Sequence, residues 1–335
     1  MGRRLHATKN TMRAPNRGRV AATLAAAILI FSSGNVTSSR TAQTIKIIVP
    51  STVGGGADIL ARLLADQISR TQDLTMVVEN RPGASNTIGT EAASRAAPDG
   101  NTLLIATPEF VINPHLRKLN YDPLTTFTPV CYLARSPQLF VVNSESPYRT
   151  LHDLLDAARA RPDEITLASA GPASSTHIAF ETLKYLANVK MSYVPYQGSG
   201  PAVSALLAKH VTSVLASYPN VVEQVKANTL RALATASPTR IKQMPNVPTV
   251  AESGFKDYES EIWFGVMAPA NTPNVIVSQL AAWFTAALQA PAIQPKLETL
   301  GLLTVGLCGA DFGAFIHNQY NKYGRAIRET KFPTR

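Results

Sequence analysis

Ile45-Lys-Ile-Ile-Val-Pro50, then Ser51-Thr-Val-Gly-Gly-Gly-Ala-Asp58, then a segment with apolar residues at 59, 60, 63, 64 and 68, decides how this chain folds. The first six residues read as a buried strand, and the spacing after Asp58 is one face of a helix, so the glycines sit at a strand-to-helix junction. The first amides of a helix have no intrahelical acceptor and lie at the positive end of its dipole. Small residues in front of them let an anion approach. The arrangement recurs twice, as Ile165–Ala170 leading into Gly171-Pro-Ala-Ser-Ser-Thr-His177, and as Ser192–Tyr196 leading into Gln197-Gly-Ser-Gly-Pro-Ala202. Three such loops in a sequence without a phosphate-loop lysine or a metal-ligand cluster predict a pocket that grips carboxylates through main-chain donors.

Working outward, Thr75–Asn80 is a second strand stopped by Arg81-Pro82-Gly83, and Ile88–Ala97 is a small-residue helix ending at Pro98-Asp99-Gly100. Thr102–Thr107 is a third strand. This alternation predicts a parallel, doubly wound sheet with ligands at the carboxyl ends of its strands. Another apolar strand at Gln138–Asn143, the Ser146-Pro147 break and a helix over Leu151–Arg161 mark a crossing into a second domain. Leu230–Thr235 brings the chain back, and long helices near Val275–Leu288 and Phe312–Glu329 complete the first domain. The expected division is a signal segment at 1–43, a first domain at 44–142 and 236–335, and a second at 143–235.

With 335 residues, 45% of them hydrophobic and 16% charged, the chain can bury a large core. The formal net charge of +10 invites a nucleic-acid reading until the charges are located. Residues 1–40 carry Arg3, Arg4, Lys9, Arg13, Arg17, Arg19 and Arg40 and no acid, which leaves about +3 for the remainder, no nucleic-acid footprint. The basic stretch runs into the apolar Val20–Phe31, too short for a stable bilayer anchor and suited to a cleaved secretory signal, so a periplasmic location is expected. Cys131 and Cys308 are the only cysteines. Export leaves pairing open, while two thiols in so long a chain are more often separate buried groups.

Several blocks then carry a resemblance in the right order along the chain. They are Pro50-x-x-Val-Gly-Gly-x-x-Asp58, Val78-Glu79-Asn80-Arg81-Pro82-Gly83-Ala84, Pro98-Asp99-Gly100-x-Thr102, Tyr121-Asp122-Pro123, Val194-Pro195-Tyr196-x-Gly198-Ser199, Val247-Pro248-Thr249-x-Ala251-Glu252-x-Gly254 and Trp263-x-Gly265-x-x-Ala268-Pro269. From about Ile45 to the C-terminal helix the sequence resembles the Bug-type solute-binding proteins of tripartite tricarboxylate transporters. The resemblance implies a type II periplasmic-binding-protein fold, two doubly wound α/β lobes joined by a two-segment hinge. It also implies a small organic anion in the cleft, membrane permease subunits as partners, and no cofactor or metal; a monomer is expected because a docking receptor needs free lobes. Carried over by position, the ligand-binding residues are Val53, Gly54, Gly55, Asp58, Ala84, Ser85, Asn86 and Thr107 from the first lobe. Ser169, Gly171, Ser174, Ser175, His177, Gly198, Ala216 and Ser217 follow from the second. Val53 stands where relatives often have Pro, and Ala216-Ser217 where they often have Asp-Asn, so one polar contact common among relatives is altered.

Some of these residues also have local duties. Asp58, Ser174 and Ser175 open helices and suit amide capping, and His177, in a first turn, is expected to be a neutral hydrogen-bonding group. Two other functions compete with transport. A ligand-sensing subunit for a membrane kinase would use the same fold. A hydrolase built on Ser174 or Ser175 with His177, or on Cys131, lacks the Gly-x-Ser-x-Gly elbow, and a Ser and His on one helical turn make no triad.

Overall fold

The computed structural model describes residues 43–333; the predicted signal segment up to 42 lies outside them. The elements run β1 (Thr44–Val49), α1 (Gly56–Gln72), β2 (Thr75–Asn80), α2 (Thr87–Ser94), β3 (Thr102–Ala106), α3 (Glu109–Leu116), β4 (Phe127–Asn143), α4 (Leu151–Ala160), β5 (Thr166–Ser169), α5 (Ser175–Ala187) and β6 (Ser192–Pro195). They continue as α6 (Ser199–Leu207), β7 (Ser213–Ser217), α7 (Val222–Lys226), β8 (Leu230–Thr235), β9 (Glu261–Pro269), α8 (Asn274–Gln289), α9 (Gln294–Thr299), β10 (Leu303–Cys308) and α10 (Ala310–Glu329).

The strands follow the order β2-β1-β3-β9-β4-β7-β5-β6, with β8 and β10 also paired to β4. Two parallel triplets stand out. In each, the first strand of the unit lies in the middle: β1 between β2 and β3, and β5 between β6 and β7. Such an order puts a topological switch point, and the crevice that goes with it, at the carboxyl end of the central strand. β9 runs antiparallel to β3 and β4, and β4 antiparallel to β7 and β8, so the sheet is mixed where the alternation predicted a parallel one. The reason is connectivity: β9 is added after the chain has returned from the second parallel triplet, and β4 is one long strand shared by both halves of the sheet, so neither is the product of a βαβ unit.

β4 belongs to both lobes. Its residues from Phe127 to Pro137 pair with β9, and those from Gln138 onward pair with β7 and β8. The strand's change of partners falls at Pro137–Gln138. On the return, Val250 and Tyr258 pack in the same core as Phe140 and Val142, and Ser260 donates its amide to Ala236 O.

Strand alternation builds two cores per lobe. Ile45, Ile47 and Val49 pack against Leu60, Leu64 and Ile68 of α1 and Leu280 and Phe284 of α8, while Ile48 faces Phe110 of α3 and Phe312 and Ile316 of α10. In the second lobe Phe140 and Val142 face α4 and α5, and Leu139 and Val141 face α6. Each fully buried Leu, Ile or Phe contributes about 2 kcal/mol, enough to fix which face each helix presents. A disulfide joins Cys131 to Cys308, residues opposite each other in the β4–β10 ladder. The bias toward separate thiols is therefore corrected: 177 residues separate them in sequence, and the antiparallel register brings them together.

Candidate functional site

A cleft of about 960 Å³ lies at the carboxyl ends of both central strands. All three glycine loops reach it, as do the Gly83–Asn86 turn, the end of β3 and the 3₁₀ turn Tyr218–Asn220 after β7. Sequence and fold meet at these loops. Gly198 has φ of 115°, a conformation that an L side chain rarely adopts, and it aims the first turn of α6 at the cleft.

The amides are not all free, and which are committed is informative. Gly54 N–H donates to Asp58 Oδ2 at 2.9 Å, so the first loop caps itself with its own helix's carboxylate. Asp58 Oδ1 accepts from Arg62 Nε at 2.9 Å, Arg62 reaches Asn80 at 2.8 Å, and Asn80 donates to Ser51 O at 3.1 Å. Burial works to raise the Asp58 pKa, but the Arg62, Gly54 and Asn80 donors outweigh it and hold the carboxyl below its usual value. Gly56, Ala57 and Asp58 have no acceptor for their own N–H among the described residues, nor do Thr176 in α5 and Ser199 and Gly200 in α6. Of these uncommitted donors, Gly56, Ala57 and Ser199 line the cleft.

In the second lobe Ser174 caps α5. Its Oγ accepts from His177 N at 3.2 Å, donates to Gly171 O at 2.8 Å and meets Thr176 Oγ1 at 2.8 Å, which leaves it little capacity for a ligand. The Ser175 amide is met by Glu109 Oε1, 3.3 Å away, from the other lobe. Glu109 Oε2 also accepts from Thr107 at 2.7 Å and Asn86 at 3.5 Å.

The turn holding Asn86 is strained. Ala84, Ser85 and Asn86 have φ of 48°, 54° and 72°, three successive non-glycine residues in the left-handed region, each costing about 1 kcal/mol or more. Asn113 of α3 donates to Ser85 O at 2.7 Å and helps to hold the turn.

Of the sequence-derived site residues, Gly54, Gly55, Ala84, Ser85, Asn86, Thr107, Gly171, Ser174, Ser175, Gly198 and Ser217 line the cleft. Five do not, each for a local reason. Val53 points to solvent at 72% exposure. Asp58 is buried beneath its loop. Ser169 is buried at the end of β5, in contact with the Tyr193 hydroxyl at 3.1 Å. His177 turns back onto its loop: its ring stacks on Tyr193 with centroids 3.5 Å apart, and Nδ1 accepts the Ala173 N–H. Ala216 faces the α6 side of the sheet.

Sequence reasoning missed Glu109, Ser136 and Asn220. Ser136 is 2% exposed, lines the cleft at the point where β4 changes lobes, and its Oγ has no hydrogen-bond partner. A buried hydroxyl left unpaired at a cleft wall is a place for a ligand's polar atom. Asn220 accepts from Ser217 Oγ at 2.9 Å and puts an amide side chain close to the altered Ala216-Ser217 position. Among the described residues no cluster of three or more His, Cys, Asp or Glu could hold a metal ion.

Comparison with known proteins agrees with this geometry. The model of the tripartite tricarboxylate transporter family receptor, TctC, matches residues 60–332. The chain belongs to that family. Protein BugT of Bordetella pertussis is 32% identical to this TctC-family receptor over 292 residues, 86% of this chain and 90% of BugT. The structure of periplasmic binding protein BugD superposes with a TM-score of 0.78 at 30% identity, covering 87% of this chain and 99% of BugD. R. palustris Rpa4515, solved with adipate, has a TM-score of 0.79 and 31% identity over 88% of this chain and 98% of its own. The fold is thus that of the periplasmic binding proteins, and the chain is a solute-binding protein and not an enzyme.

Proposed function

We propose that this receptor captures a small carboxylate in the cleft between its lobes and delivers it to the membrane permease of a tripartite tricarboxylate transporter. The observation that carries the reading is the convergence of three glycine loops on one cleft, with uncommitted amides of Gly56 and Ala57 in α1 and Ser199 in α6 lining it. The adipate held by Rpa4515 supports a carboxylate as the ligand class. Ligand contacts are assigned to those amides, to the Ala84–Asn86 turn, to Thr107 and to Ser136.

Closure is assigned to rotation about two crossings, one at Ser136–Gln138 within β4 and the other near Ser260. The basic and apolar N-terminal stretch supports export to the periplasm. Thermal-shift screening of the mature protein against dicarboxylates, tricarboxylates, acidic amino acids, aromatic acids and nicotinate-like compounds tests the ligand class, since a ligand bound only by the folded state raises Tm. Stabilisation by carboxylates is expected. Stabilisation only by sugars or by cations would overturn the reading.

A further inference from the structure

We propose that Glu109 is a specificity-determining residue that selects, among small carboxylates, those that also carry an ammonium group and disfavours those with a second carboxylate. The inference rests on the carboxylate reading of the cleft and narrows it.

The charge inventory of the cleft is lopsided. Among the described residues its wall includes no Lys, Arg or His, and Glu109 is its one ionisable carboxylate. The neighbouring Asp58 lies beneath its loop and is paired with Arg62. Glu109 has no such partner: it enters no ion pair among the described residues, and its oxygens receive only the neutral Thr107 hydroxyl, Asn86 amide and Ser175 N–H. Its negative field is also felt beyond the cleft. Tyr323 of α10 has its phenol raised first by burial and then further by Glu109.

Glu109 is placed to be unavoidable. It starts α3 directly after the Thr107-Pro108 corner and reaches across the cleft to the first amide of α5, so a ligand closing the two lobes together sits beside it. Helix amides can offset a single anionic end, but a second carboxylate in the same partly desolvated space adds repulsion with no cation to relieve it. A ligand with an ammonium group reverses that sign. Its carboxylate takes the free amides, its cation takes Glu109, and the loaded cleft holds one net negative charge instead of three.

The test is isothermal titration of the wild-type protein and Glu109→Gln with matched pairs: glutamate and glutarate, leucine and 4-methylpentanoate, 6-aminohexanoate and adipate. In wild type the amino member of each binding pair is expected to bind at least about tenfold tighter, from the size of charge-pair effects at contact range. Glu109→Gln should abolish that ratio and tighten the dicarboxylates, while Glu109→Asp, which keeps the charge, retains the preference. A member without the ammonium group that binds wild type as tightly as its amino partner, or a ratio unmoved by Glu109→Gln, overturns the inference and leaves the carboxylate reading standing. No binding by any member of the three pairs, with a carboxylate that has no ammonium group raising Tm in the thermal-shift screen, overturns the inference alone; Tm raised only by sugars or cations overturns both.

Discussion

The loop after β1 and the loop after β5 occupy the same place in their lobes, each following the central strand of a parallel triplet and opening a helix toward the cleft. They satisfy their amides in different ways. The first uses a carboxylate from its own helix, Asp58, balanced by Arg62 one turn later. The second caps α5 with the neutral Ser174 and takes its carboxylate, Glu109, from the opposite lobe with no cation beside it. A charge that is locally paired is architecture. A charge held across a cleft by neutral donors is available to whatever enters, and this separates Asp58 from Glu109 although each is an acid accepting from a cleft-loop amide.

The largest effect that would sharpen this contrast is expected from the disulfide, which ties β10 to β4 in the first lobe. Cys131→Ser with Cys308→Ser should lower stability by about 5 kcal/mol, the entropy expected for so long a closed loop, and urea denaturation should show it. Next, Asp58→Ala should cost about 2 kcal/mol in the same assay, because it strands a half-exposed Arg62 and the Gly54 amide. Glu109→Gln, by contrast, should leave stability nearly unchanged. Equal losses in the two variants would break the comparison.

The paired acid also has a pH signature. The pKa of Asp58 is depressed on folding, so its contribution is fully present above the ordinary value of 3.8 and is lost as pH falls through the lower folded value. The stability difference between wild type and Asp58→Asn should therefore be constant from pH 7 to about pH 5 and shrink below 3.8, as followed by acid titration of the urea midpoint.

Smaller effects follow at the second loop and the strained turn. Ser174→Ala removes the α5 cap and should cost about 1 kcal/mol. Ala84→Gly relieves one left-handed residue but loosens the unfolded chain, for a net gain of about 0.5 kcal/mol in thermal unfolding.

Much of this contrast is legible in the amino-acid sequence. Buried strands running into glycine loops and helices mark the central unit of each lobe, because that information is local: an apolar run, a turn and a 3.6-residue period. The first half of β4 is not legible, since Pro129, Ser136 and Pro137 interrupt its pattern and its partners β9 and β10 lie far along the chain. Glu109 is hidden for the same reason. In sequence it is the residue after a Thr-Pro corner, and its defining contact with Ser175 spans 66 residues and two lobes. The commitment of the Gly54 amide is within reach, because an acid four residues after a loop glycine at a helix start is positioned to cap it.

Main-chain amides at the cleft's edge hold the ligand's carboxylate, and on that claim everything else turns. Two-dimensional ¹H–¹⁵N NMR of the labelled protein, titrated with a carboxylate that raises its Tm, reads those amides directly. Downfield proton shifts are expected to concentrate at Gly56, Ala57 and Ser199, with the committed Gly54 amide moving less. Saturable binding that leaves those resonances in place and shifts a surface away from the cleft would contradict the claim.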